Sequence, residues 1–345
     1  MTRPTVIDAF CGAGGLSEGL AESGFETRLG FDLDGAAIET YRSNVGSHGI
    51  QLDVCETTAS DLTRTARVEK GDLDLLAGGP PCQGFSKQKR GAHLGDRRNA
   101  LVLEFLRLVE ELEPKTFLME NVPMLAQVRG KKLVEQFSDL SSYRMHGDYY
   151  KAADFGVAQT RQRFVLVGVR KDLRSDFSVP SSKVDTWRTV KEAIGDLPEP
   201  PIDGSEHPDF ANHYRTRPSA ANLERISHVP PGGGWQDIPF ELRLPCHQRV
   251  DTSRGGWPDV YGRLEWDGQC PTITGGFDSF SRGRFAHPES DRAITPREAA
   301  RLQGFPDEYV FHGNKHEVRH QIGNAVPPPL AAALGQALAR CLSID

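Results

Sequence analysis

The sequence has little of anything that would take it outside the ordinary globular class. No apolar run approaches the roughly 20 residues that a membrane-spanning helix needs. The opening "MTRPTVIDAF" lacks the apolar core of a signal peptide. Both absences predict a cytoplasmic protein. Cysteine is scarce, with six residues spread over positions 11, 55, 82, 246, 270 and 341 and no C-x-x-C pair. That spacing excludes a disulfide framework and a zinc module of paired cysteines, and it fits a reducing compartment. His207, His213, His228 and His247 fall in one region without metal-ligand spacing, so no metal is expected. Internal repeats and low-complexity tracts are absent, which excludes a solenoid. Positive charge is not in excess. The net charge of −6 argues against a non-specific nucleic-acid binder, although a local basic patch survives such averaging.

What is present is length, glycine and proline: 345 residues with 35 Gly and 23 Pro, enough for a large core with many shaped loops. The first half alternates strand-like and helix-like segments. "TVIDAF" ends in glycines and leads into "LSEGLAESG"; "ETRLGFDLD" leads into "GAAIETYRSN". "GIQLD" and "DLDLLAGG" read as further strands, "NALVLEFLRLVEELEP" as an amphipathic helix closed by Pro114, and "KTFLMEN" and "RFVLVGVR" as two more strands. Such alternation predicts an α/β fold, a doubly wound and mostly parallel sheet with helices on both faces. The expected organisation is one domain over residues 1–180, a smaller loop-rich domain over 181–288, and a segment over 289–345 that returns to the first domain.

Two loops carry candidate chemistry. "DAFCGAGGLSEGL" follows a strand and opens a helix, the arrangement that aims backbone N–H groups at a ligand. Read as G-x-G-x-x-G it has Gly12 and Gly14, but Ser17 stands where the third glycine belongs, which weakens a dinucleotide reading. Asp32, with Asp34 beside it, lies about 20 residues on, where a carboxylate would hold a ribose diol. Asp53 ends the third strand. Each of these aspartates taken alone reads more readily as a helix cap or turn residue; together beside one glycine loop they favour a nucleoside-bearing cofactor. In the second loop, "GGPPCQGFS", two prolines and three glycines fix Cys82 in a turn, as a nucleophile requires.

The ordered motifs "DAFCGAGG", "GGPPCQGFS", "ENV", "QTRQRFVLVGVR", "RLQGFPD" and "QIGNAVPPPLA" resemble those of the DNA cytosine-5 methyltransferase family. The match runs from Asp8 to about Gly335, apart from roughly Arg174 to Tyr261. Met124 departs from the glycine common after "ENVP". The resemblance implies a Rossmann-like domain that binds S-adenosylmethionine and a smaller target-recognition domain. It implies that Cys82 adds to C6 of a cytosine, that Glu120 meets ring N3, that Arg163 contacts O2 and that Arg161 orients the cysteine–glutamate pair. Phe10, Gly12, Ala13, Gly14 and Gly15 would line the methionine and ribose side of the cofactor. Asp32 would take the ribose hydroxyls with Leu33 against the adenine, and Asp53 and Val54 would sit at the adenine edge. Pro81 and Leu101 also match cofactor-side positions, and Asn324 and Val326 would return from the C-terminal segment to close the pocket.

The partner that the resemblance implies is duplex DNA, with the target base flipped out of the stack. Gln83, Ser86, Lys87, Lys89, Arg90 and Arg97 lie on the segment after the cysteine that would close over phosphates. Arg249, Arg254, Arg282 and Arg284 lie among the glycine-rich loops expected to meet DNA. The expected enzyme is a monomer of prokaryotic modification type, paired with a restriction endonuclease encoded nearby. Two alternatives stay open: the same chemistry on tRNA, and a catalytically silent DNA-binding protein.

Overall fold

The computed structural model describes residues 3–81, 100–127, 130–180, 184–250, 257 and 259–342. The chain forms two compact units. The first comprises 1–155, 162–183 and 325–345; the second comprises 156–161 and 184–324.

In the first unit, β1 (Thr5–Ala9), α1 (Gly15–Glu22), β2 (Glu26–Asp32), α2 (Gly35–Asn44), β3 (Gly49–Gln51), α3 (Ala59–Ala66) and β4 (Leu75–Gly78) follow one another, and all but α3 are elements that the sequence predicts. They are followed by α4 (Ala100–Leu112), β5 (Thr116–Asn121), α5 (Lys131–Phe137), β6 (Tyr143–Lys151) and β7 (Gln162–Arg170). The strands make a seven-stranded sheet in the order β3-β2-β1-β4-β5-β7-β6. Strands β1 to β5 are parallel, and β7 runs antiparallel to both β5 and β6. Alternate residues of the central strands feed opposite cores. Ile7, Leu76, Phe117 and Met119 pack with Phe105 and Val109 of α4. On the other face Val6, Leu75, Ala77 and Leu118 pack with Leu16 and Leu20 of α1. The sheet is therefore doubly wound, as expected.

Three elements of the first unit, α3, α5 and β6, were not expected from the sequence. β6 reads YRMHGDYYK and is exposed over its middle, because an antiparallel edge strand covers only part of one face and shows no apolar run. α3 is short, but Thr58 and Asp61 close a capping box at its start, and that signature is present in the sequence.

The second unit contains α6 (Val190–Ile194), α7 (Ala220–Ser227), α8 (Pro245–Gln248), the short strands β8 (Gly262–Arg263) and β9 (Arg284–Ala286), α9 (Pro296–Leu302) and α10 (Lys315–Asn324). Its boundaries differ from the expected 181–288. Residues 289–324 belong to the second unit, and only α11 (Pro328–Leu342), with its lead-in from Ala325, joins the first. Side-chain bonding within the second unit explains the difference. Arg292 and Arg297 tie 289–324 to Glu199 and to the carbonyl of Ala211. α11 packs on α1, with Val326, Leu330, Ala331 and Leu334 in the core that holds Leu16 and Leu20. The approach is close: a Cβ on Gly19 would lie 2.2 Å from the Pro328 carbonyl oxygen. Among the described residues no helix is long and apolar enough to cross a membrane.

Candidate active site

The carboxyl ends of β1, β2, β4 and β5 lie side by side, and the sequence-predicted residues of the first unit gather there. β1 runs into a loop in which Phe10 (φ +57°), Gly12 (φ +52°) and Gly14 (φ +97°) take left-handed conformations. For Gly12 and Gly14 the absence of a Cβ makes this inexpensive. Gly14 is the N-cap of α1, which starts at Gly15. Asp32 ties the loop to β2: one carboxylate oxygen accepts the Gly12 N–H at 3.0 Å and the other accepts the Asp34 N–H at 2.9 Å. Burial pushes the Asp32 carboxyl upward, against those N–H bonds, which favour its charge. Of the three strand-end aspartates, Asp34 caps α2 through the N–H groups of Ala36 and Ala37. Asp53 caps the short turn of Val54–Glu56 through the Cys55 N–H. Leu33, at the same edge, is 64% exposed although it is a large apolar residue. Leu101 packs partly buried against the apolar core to which buried Val54 belongs.

Ser17, the residue that breaks the glycine pattern, has a definite function in the fold. Its hydroxyl donates to the buried Asp8 carboxylate at 2.7 Å and lies 3.0 Å from the Tyr41 hydroxyl, which in turn lies 3.1 Å from His48 Nε2. Burial pushes the Asp8 carboxyl up to about 7, and the charge of Asp32 adds to the effect while the Ser17 bond opposes it. Asp8 Oδ1 is buried with no hydrogen-bond partner among the described residues.

The next two strand ends bring together the "GGPP" and "ENV" motifs. β4 pairs with β5 so that Gly78 lies opposite Met119. A Cβ on Gly79 would lie 3.4 Å from Glu120 Oε2, so the loop backbone passes directly beside this carboxylate. Asn121 locks the loop: its side-chain N–H donates to the Pro80 carbonyl at 2.9 Å while its oxygen accepts the Val122 N–H. Sequence reasoning gave Asn121 no part, and the signal was its place within "ENV". Pro81 is exposed at the point where the described chain stops. Cys82 and the DNA-side residues Gln83, Ser86, Lys87, Lys89, Arg90 and Arg97 lie outside the described residues, as does Arg254.

Glu120 and Arg163 form a buried pair. Arg163 Nε lies 2.9 Å from Glu120 Oε1, and both side chains are about a tenth exposed. The Arg163 guanidinium is thus the cationic group that faces this buried oxygen. Burial lowers the Arg163 guanidinium from its usual range, against the pull of Glu120. The register explains the meeting: β7 runs antiparallel to β5, with Asn121 opposite Phe164, so Arg163 follows directly at the end of the ladder. Arg161 belongs to the second unit. There its guanidinium donates to the carbonyls of Ile273 at 3.0 Å, Gly323 at 3.1 Å and Asn324 at 3.5 Å. Asn324 itself is exposed at the end of α10.

The sequence pattern of the C-5 cytosine-specific DNA methylases matches residues 4–340. The chain belongs to this family. It is 35% identical over 344 residues to the type II methylase M.HgiDII of Herpetosiphon aurantiacus, covering 98% of this chain and 95% of that one. It is 37% identical over 341 residues to the type II methyltransferase M1.HphI of Haemophilus parahaemolyticus, covering 97% and 86%. Among solved structures it resembles an E. coli prophage-encoded protein assigned as a DNA modification methyltransferase, with a TM-score of 0.74 at 31% identity over 99% of this chain and 100% of that one. The Dnmt2 methyltransferase of S. pombe, at 17% identity and a TM-score of 0.66 over 99% and 100%, shows the same fold.

In this DNA cytosine-5 methyltransferase the arginines of the second unit divide into two kinds. Arg249 and Arg282 are exposed. Arg284, expected at DNA, spends its donors on the protein: Nη1 bonds the carbonyls of Gly232 and Gly233 at 2.6 Å each, and Nε faces Asp259 at 3.3 Å. It holds the "PPGGGW" turn. Sequence alone could not separate it from Arg282, because both sit in the same glycine-rich run.

Proposed function

We propose that this methyltransferase carries a methyl group from S-adenosylmethionine to C5 of a flipped-out cytosine in a short duplex DNA sequence, through a covalent bond from Cys82 to C6. The observation that carries the reading is the buried Glu120–Arg163 pair beside the Gly79–Pro81 backbone. A cytosine placed there would present N3 to Glu120 and O2 to Arg163. Addition of the Cys82 thiolate to C6 shifts an electron pair towards C5, and Glu120 and Arg163 offset the charge that gathers on N3 and O2. C5 would then take the methyl, the S–CH3 bond breaking with its electron pair left on the cofactor's sulfur; loss of the C5 proton to a base would return an electron pair that expels the Cys82 thiolate.

The residues present fit the cofactor. The left-handed glycine loop leaves open space at Gly12, Asp32 is held at the strand end, and Leu33 exposes an apolar face that an adenine would cover. S-adenosylmethionine supplies the electrophilic methyl when bound. Phe10, Gly12, Ala13, Gly14 and Gly15 would line its methionine side, Asp32 its ribose, and Leu33, Asp53, Val54 and Leu101 its adenine. Pro81, Asn324 and Val326 would complete the pocket. In Arg161 the carbonyl bonds support a positioning role for the segments around Ile273 and Gly323. Lys87, Lys89, Arg90, Arg97, Arg249 and Arg282 would meet DNA phosphates, with Gln83 and Ser86 beside the flipped base. The type II names of its relatives support a modification role beside a restriction endonuclease, performed by a cytoplasmic monomer.

The test is base-resolution methylation mapping of plasmid DNA from a methylation-deficient bacterium that expresses the chain. One short motif modified at C5 supports the reading. Cys82→Ala is expected to lose turnover while still binding S-adenosylmethionine, and retained methylation in that variant would falsify the covalent step.

A further inference from the structure

In the second unit the loop Thr274–Arg282 is bolted to α10. Arg319 donates to both oxygens of Asp278 at 2.9 Å each. The loop is glycine where it touches cationic side chains. A Cβ on Gly275 would lie 2.9 Å from His320 Nδ1, and one on Gly276 would lie 2.4 Å from Arg282 Cδ. One helical turn before His320 stands His316, with the two rings 4.3 Å apart and tilted by 31°. His316 and Arg282 are both exposed, and Arg282 has no ion-pair partner among the described residues. The hydroxyls of Ser279 and Ser281, 3.0 Å apart, lie on the same loop.

We infer that His316, His320 and Arg282 form a proton-coupled clamp for a DNA phosphate. This rests on the DNA-methyltransferase reading and adds a pH-regulated contact to it. His320, stacked on His316 and held beside two arginines, disfavours charge in the free protein. The groups facing His320 are His316 and Arg319 on α10 and Asp278 and Arg282 on the loop; Lys315 and Glu317 flank His316 along the helix. Burial first, then His316, Arg319 and Arg282, hold the His320 imidazole below its usual range, with Asp278 opposing. A phosphate reverses that balance: it adds negative charge beside the pair, so binding takes up a proton. The sign follows from linkage: where binding takes up protons, affinity falls as pH rises. The effect reaches at most one decade in Kd per pH unit for each proton taken up.

The experiment is fluorescence-anisotropy titration of a labelled duplex with the full chain at about pH 6 and about pH 8, spanning the histidine range. Unsubstituted protein is expected to bind several-fold tighter at the lower pH. A His316→Gln, His320→Gln double variant is expected to lose most of that difference, and a variant that keeps the whole of it overturns the clamp. Should the double variant fail to fold, Arg282→Gln carries the test through salt dependence. Loss of one phosphate contact lowers the slope of log K against log[salt] by about 0.9, and an unaltered slope counts against the proposal. Methyl transfer by the unsubstituted chain is measured alongside. Its absence would strike the underlying reading, whereas normal transfer with unmoved pH and salt slopes would strike the clamp alone.

Discussion

In the first unit the sheet ladders pair the central backbone groups, and apolar clusters pack on both faces, with the Asp8–Ser17–Tyr41 group and the Glu120–Arg163 pair buried beside them. In the second unit the same need is met by buried arginines. Arg263 donates to the carbonyls of Ile226, Val229, His287 and Ser290. Arg297, fully buried, donates to those of Ala211, Pro306 and Tyr309. Arg161 takes three more. Irregular chain leaves carbonyls that no ladder satisfies, and a guanidinium with five donors in one plane answers several at once. Apolar packing accompanies these braces: one cluster is built on Ile226, Val229, Trp235, Tyr261 and Phe280, and the rings of Phe305, Tyr309 and Phe311 pack against one another elsewhere in the unit. The comparison teaches that a loop-rich unit can be held by polar cross-braces as well as by apolar packing.

The largest effect should come from the chemistry of the first unit. Glu120→Gln is expected to lower methyl transfer by roughly 10²–10⁴, the usual worth of a positioned proton donor or acceptor. Single-turnover kinetics with the cofactor pre-bound would check it, and a loss under about threefold would remove Glu120 from the mechanism. In the second unit, Arg292 bonds Glu298 at 2.8 Å through both terminal nitrogens and Glu199 at 3.0 Å. Burial works against the Glu199 charge, but Arg292 and Ser290 carry its carboxyl down to about 2. Arg292→Leu strands a buried Glu298 and should cost about 3–5 kcal/mol. Urea unfolding followed by Trp fluorescence would reveal it, and a loss no greater than that of a surface substitution would refute the cross-brace picture.

Gly19→Ala tests the apolar packing of the first unit instead. The added methyl meets the Pro328 carbonyl and Ala331, so about 1–3 kcal/mol is expected from overpacking. A neutral result by thermal melting would mean that α1 and α11 separate easily. The smallest effect concerns pH. Asp8 titrates at about 7 in the fold against 3.8 in an ordinary setting, so its neutral form is the one the fold favours. That contribution is complete below the lower value and is lost as pH rises through about 7. Asp8→Asn should flatten the pH dependence of stability over that window; an unchanged profile would show that Asp8 is not its source.

The meeting of the glycine loop with Asp32, and of the "GGPP" loop with Glu120, was legible because each of these motifs is local in sequence and ends a strand. The parts that escaped are those whose meaning lies in a partner far along the chain. Arg284 and Arg282 are two residues apart, yet one braces Gly232 and Gly233 and the other stays exposed. Asp34 and Asp53 turned out to cap local turns, whereas Asp32 holds the glycine loop, a distinction made only by the pairing of β1 with β2.

By itself, then, the sequence determined the alternation of strand and helix, the doubly wound sheet and the family, because hydrophobic period and fixed motifs act over short range. Tertiary structure decided which arginines were braces, that 289–324 joins the second unit, and that Arg163 would meet Glu120. Those outcomes depend on which carbonyls and carboxylates lie within about 3 Å of a guanidinium after folding, and that proximity is set by chain crossings that no local pattern encodes.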